Sequence, residues 1–264
     1  MILSVAVPTL AVALCASAAY AVAAWSASTS SRVESAALVL GWVLHAASAV
    51  ADLLSGDAGA RLGFAPVLSL TVWLVILVHV IESRLVPIPV VRRTLALAGI
   101  AAVLLAVVFP GEARLSTASP WAPMHWVLGV ASYGLFGVAV LHASLLDAAE
   151  RRMRMRRPGD NAVLGMPLLR LERLTFRFVE AGFIVLTLAL LLGVVTATRW
   201  RWDHKTVFSL LGWLVFAALL AGRALHGWRG RHATRWLYAG AALLLLAYVG
   251  SRFVLEVVLG RPVI

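Results

Sequence analysis

The sequence predicts an all-α integral membrane protein with eight transmembrane helices and both termini on the outer side (N-out/C-out). Three observations carry this. Hydrophobic residues make up 62% of the 264-residue chain and charged residues only 13%, against about half and about a quarter in a soluble domain. The mean hydropathy is +0.93, more apolar surface than one soluble core can hide. The apolar residues also fall into long runs separated by short charged stretches.

A helix rises about 1.5 Å per residue, so crossing the hydrocarbon takes about 20 residues. Eight runs qualify: Ile2–Trp25, Glu34–Leu54, Phe64–Ile81, Thr94–Phe109, Pro123–Ala148, Phe178–Thr198, Thr206–Leu225 and Trp236–Leu259. Ala19-Tyr20-Ala21 in the first run resembles a signal cleavage site, but no positive charge precedes the run and its length exceeds a signal core. It is read as a span. The fourth run is short and ends at Pro110-Gly111. All eight are continuously apolar and rich in Ala and Leu, without the alternation of a barrel wall. With no repeat and no soluble segment, residues 1–264 read as a single polytopic membrane domain.

Charge sets the orientation. All but one of the 23 basic residues are Arg. Sixteen fall in connections 1–2, 3–4, 5–6 and 7–8, and seven on the other side, so the richer side faces the cytoplasm. The net charge of +11 is thereby explained by the bilayer rather than by nucleic acid. Connection 149–177 holds Arg151, Arg152, Arg154, Arg156 and Arg157. It reads as a cytoplasmic anchor and a candidate partner-binding surface. Its second half, Pro167 to Arg177, has apolar residues at helical spacing with Arg between them, fit to lie on anionic lipid.

Phosphate-cradling loops, nucleophile elbows and HExxH motifs are absent from the sequence, and a lone Cys15 excludes an internal disulfide. Catalysis by this chain is not expected. Histidines remain, because a neutral imidazole ligates haem iron and other metals. His45 falls in the middle of span two, where it is either a ligand or a hydrogen-bonded core residue. His79 and His142 lie toward the cytoplasmic ends of spans three and five and read as packing residues, while His226 and His232 read as solvated. His125 opens span five on the outer side, within Trp121-Ala122-Pro123-Met124-His125-Trp126. Also outside, connection 6–7 reads Arg199-Trp200-Arg201-Trp202-Asp203-His204-Lys205. Flat aromatics suit a planar macrocycle and Arg suits its carboxylates.

Met124-His125-Trp126 through Ala131-Ser132-Tyr133-Gly134-Leu135-Phe136 resembles the histidine-bearing helix of the cytochrome c assembly family (CcsA/ResC-like haem-handling membrane proteins). Trp202-Asp203-His204-Lys205-Thr206, Trp213-Leu214-Val215-Phe216 and Gly227-Trp228-Arg229-Gly230-Arg231 resemble the family's second half. Within it, the small YpjD-like and HemX-like branch is most similar, over roughly residues 40–260. The resemblance implies haem binding, with His125 matching an outward axial ligand and Trp200, Trp202 and Asp203 part of a tryptophan-rich motif. His204 is a candidate second ligand, and His45 resembles a span-two histidine of the small branch. Two departures stand out. Residues 255–264 contain no second outward histidine, and Gly222 stands where exporters carry a membrane histidine. The resemblance therefore implies a haem chaperone or conduit of the bacterial inner membrane, working with other assembly proteins, rather than a complete synthase. An alternative from the HemX-like members is a regulator or scaffold that binds a tetrapyrrole-synthesis enzyme through the Arg-rich segment without carrying haem. A transporter would show broken helices or inverted repeats, and neither is visible.

Overall fold

The computed structural model describes residues 7–25, 31–54, 61–84, 88–113, 121–155, 168–196 and 202–259. Among these residues the secondary structure is helical except for one short ladder. The helices are α1 (Val7–Trp25), α2 (Ser31–Leu54), α3 (Phe64–Ser83), α4 (Pro89–Val108), α5 (Ala122–Arg154), α6 (Leu168–Thr196), α7 (His204–His226) and α8 (Gly230–Val258). All eight contain a stretch long and apolar enough to cross a membrane. Helices are forced on such segments because the hydrocarbon offers no partner for a backbone N–H or C=O. The ladder pairs β1 (Arg61–Leu62) with β2 (Glu112–Ala113) antiparallel, outside the spans.

The chain divides into two compact units: residues 1–118 with 252–264, and residues 119–251. In the first, α1 packs against α2 and α4, and α3 against α4. Its centre is the Tyr20 ring, fully buried where α2 and α4 present glycine. A Cβ at Gly41 or Gly99 would stand 2.6 or 2.7 Å from that ring, so only glycine admits the aromatic at this crossing. Near the end where α2 and α4 begin, Glu34 and Arg92 form an ion pair.

The second unit is built from α5, α6, α7 and α8 as far as Ser251. Phe136 and Phe216 stack at 3.9 Å in its core, among Val179, Leu219, Leu237 and Leu244. Large apolar side chains such as Ile184, Leu191 and Val195 are exposed on α6, as a lipid-facing surface requires. The α7–α8 turn depends on Gly227, whose φ of 66° is the left-handed conformation that glycine adopts without penalty. Within α8, residues Leu246–Gly250 and Val254–Val258 widen into π-helical turns, and the Tyr133 hydroxyl donates to the Leu244 carbonyl at the entry to the first.

The helix ends differ from the hydropathic runs wherever charge extends a helix beyond the hydrocarbon. α4 starts at Pro89, a residue suited to the first turn, so Arg92 and Arg93 are helical. α5 continues through Arg151, Arg152 and Arg154. α6 begins at Leu168, so the basic amphipathic stretch is not a separate surface helix. Its residues Leu171, Thr175 and Phe176 are buried as the first turns of α6.

Candidate functional site

His125 lies in the first turn of α5, half-buried, and faces α6. Its Nδ1 is 2.9 Å from the carbonyl oxygen of Ala189. A carbonyl only accepts, so Nδ1 carries the proton and Nε2 is left with its lone pair. One turn along α6, Gly193 gives the ring its room: a Cβ there would stand 3.0 Å from Cε1. The imidazole is thus fixed in tautomer and orientation by α6, the arrangement that metal-ligating histidines use. Lys205, in the first turn of α7, is close enough for its charge to act on His125, and its Nζ lies 5.7 Å from the Tyr248 ring centroid.

The remaining residues of this constellation have varied environments. Trp202 is 72% exposed, an uncovered indole just before α7. The Asp203 carboxylate accepts from the Thr206 backbone N–H at 2.8 Å, capping α7. That local bond gives Asp203 a structural task the sequence motif did not indicate. His204, the first residue of α7, is exposed. Trp200 lies outside the described residues.

His45 has a different setting, in the first unit. It is 2% exposed, with Nδ1 3.2 Å from the Tyr20 hydroxyl and Nε2 2.7 Å from Ser69 Oγ. Both nitrogens are occupied, so His45 ties α1, α2 and α3 together. Among the described residues, no group of three His, Cys, Asp or Glu side chains forms a metal site.

Both departures from the exporter pattern have physical accounts. The Trp228 ring occupies the space beside Gly222, where a Cβ would fall 2.4 Å from it. A histidine there would expel that indole, which also contacts His232 and Trp236. Near the end of α8, the side chains are Arg252 and Glu256, both nearly buried, 4.0 Å apart. The Glu256 carboxylate sits over Gly63, 3.1 Å from where a Cβ would be, so an ion pair fills this position.

Of the Arg-rich segment, Arg151 and Arg152 are exposed on the last turns of α5 and Arg154 belongs to the same helix. Arg156 and Arg157 lie outside the described residues. Ala189 and Gly193 are the contributors that the sequence did not single out, and Lys205 was visible there only as one cation of the outward motif. Only the packing register of α5 on α6 and the placement of α7 bring them to His125.

These features define a polytopic helical membrane protein in which a histidine at the start of one helix is held by a hydrogen bond to its neighbour helix. The chain belongs to the cytochrome c assembly protein family, whose model matches residues 8–259. It is 30% identical to inner membrane protein YpjD of Escherichia coli K12 over 238 residues, covering 86% of this chain and 88% of that one. It is 27% identical to cytochrome c biogenesis protein CcsA of Parasynechococcus marenigrum over 212 residues, covering 67% and 69% respectively. An uncharacterized 28.8 kDa protein of Azospirillum brasilense is 32% identical over 145 residues. No solved structure matches the chain significantly.

Proposed function

We propose that this protein binds haem in cytochrome c assembly, as a chaperone or conduit and not as a catalyst, with His125 Nε2 as an axial ligand. The observation that carries this reading is the hydrogen bond from His125 Nδ1 to the Ala189 carbonyl, which leaves Nε2 as the coordinating atom. Haem brings an iron that takes axial nitrogen ligands, a flat apolar ring and propionate carboxylates. Two residues at the start of α7 suit those parts: Lys205 offers a cation beside His125, and Trp202, three residues earlier in the chain, an exposed aromatic face. His204 and Trp200 belong to the same outward loop, with His204 the candidate for a second axial position. Asp203 contributes by fixing the start of α7. His45, with both nitrogens engaged, supports the fold of its own unit instead.

In this reading the chain is one multi-pass domain of a bacterial inner membrane, the location named for the YpjD relative. Both termini and the His125 end of α5 face outward. The Arg-rich segment 149–177, which includes the end of α5 and the start of α6, faces the cytoplasm, where it meets an assembly partner. The name of the CcsA relative supports the pathway.

The test is the visible absorption spectrum of the detergent-purified protein before and after addition of haemin. Wild type is expected to show a Soret band that His125→Ala largely loses and His45→Ala retains per folded molecule. A wild-type protein still colourless after haemin would overturn the reading.

A further inference from the structure

We propose that the cleft between α2 and α3, bounded at one end by the start of α4, is a binding site for an anionic phospholipid. The cleft has a volume of about 520 Å³, within the range of about 300–1,000 Å³ typical of small-molecule sites. Its lining is graded. At one end are Ser35 of α2, Ser83 and Arg84 at the end of α3, and Arg92 in the first turns of α4. Moving along α2 from Ser35 to Val43 covers about 12 Å, and over that length the walls become Leu38, Leu40 and Val43, faced by Val80 of α3 with the buried His79 beside it as the one polar group there. Polar head and apolar tail therefore have separate places in one cavity.

The charge at the polar end is positive. Arg92 is paired with Glu34, so that pair is neutral. Arg84 is exposed and forms no ion pair with a described residue. Glu82, next to Ser83 in sequence, does not line the cleft. Among the described residues, one guanidinium thus remains for a phosphate, a match that charge-assisted hydrogen bonds make strong. Leu40 is 53% exposed and Val43 48%, so the apolar half opens sideways on the lipid-facing surface of α2. A membrane lipid can enter there without leaving the bilayer. A soluble phosphate would use the Arg84 end alone and leave the apolar walls bare, which favours a lipid as the occupant. The site lies wholly in the first unit and does not depend on haem binding.

Native mass spectrometry of the full-length protein in mild detergent tests this, with dioleoylphosphatidylglycerol or dioleoylphosphatidylcholine added. Wild type is expected to retain one phosphatidylglycerol roughly tenfold more tightly than phosphatidylcholine, the scale of one charge-assisted contact. Arg84→Gln removes the preference. Val43→Trp, which fills the apolar half and keeps every charge, removes the bound lipid. Arg235→Gln, an exposed charge in the other unit, changes neither, and excess inorganic phosphate does not displace the lipid. Size-exclusion profiles establish that each variant is folded. Equal retention of the two lipids would overturn the proposal, as would an unaltered Arg84→Gln. Unchanged binding by Val43→Trp would reduce the site to a surface charge, and displacement by phosphate would make a soluble anion the ligand.

Discussion

His125 and His45 differ in which ring nitrogens are already committed, and that difference sets what each substitution does. At His125, Nδ1 donates to Ala189 and Nε2 is left to coordinate. Gly193→Ala would place a methyl 3.0 Å from Cε1 and 3.4 Å from Nδ1, so the ring must give by a few tenths of an ångström. The expected result is a folded protein whose haemin affinity falls several-fold, on the order of 1 kcal/mol for a disturbed hydrogen bond, read by titration of the Soret band. At His45, removal of the imidazole leaves the Tyr20 and Ser69 hydroxyls unpaired in a buried site. Each orphaned group costs about 1–3 kcal/mol. His45→Ala should therefore lower the thermal unfolding midpoint clearly while leaving the haem spectrum per folded molecule intact. Equal unfolding midpoints for His45→Ala and wild type would show that these hydrogen bonds contribute nothing to stability.

At the scale of the helix, the eight spans were legible because hydrocarbon thickness dictates their length and apolar content. Their ends were less so. α5 and α6 run on to Arg154 and back to Leu168, because a helix leaving the hydrocarbon continues wherever packing supports it, and hydropathy registers only the apolar part. His125 itself was legible as an imidazole set at the mouth of a span. Ala189 and Gly193 were not, since the register of two packed helices is fixed by side-chain interdigitation that one sequence does not display. Likewise the sequence marks Gly222 as a missing histidine, while only the structure shows Trp228 in its place. Gly222→His, restoring the exporter residue, is expected to dislodge that indole from the α7–α8 turn. Overpacking of this kind costs about 1–3 kcal/mol. The measurement is tryptophan fluorescence: a red-shifted emission maximum is expected, lost when Trp228→Ala is added to the variant. An unshifted spectrum would mean the turn tolerates a side chain at 222.

For the whole molecule, the proposed orientation joins two independent lines of reasoning. α5 and α7 are separated by a single span, so their starts lie on one side of the membrane once all eight helices cross it. His125 then shares a side with Trp202, Asp203, His204 and Lys205. Which side that is depends on the arginines: sixteen basic residues fall in one set of connections and seven in the other, the bias that keeps the richer set in the cytoplasm. The lone Cys15 is exposed, so a Cys15→Ala background gives clean labelling. In spheroplasts, Trp202→Cys in that background is expected to react with a membrane-impermeant maleimide. Arg152→Cys is expected to react only after permeabilisation, because it lies on the last turn of α5, at the end opposite His125. The reversed pattern would turn the molecule over and put the His125 site on the cytoplasmic side. Haem held there would be haem received at its source, and the reading of this protein as an outward-facing carrier would fail even if His125 binds it.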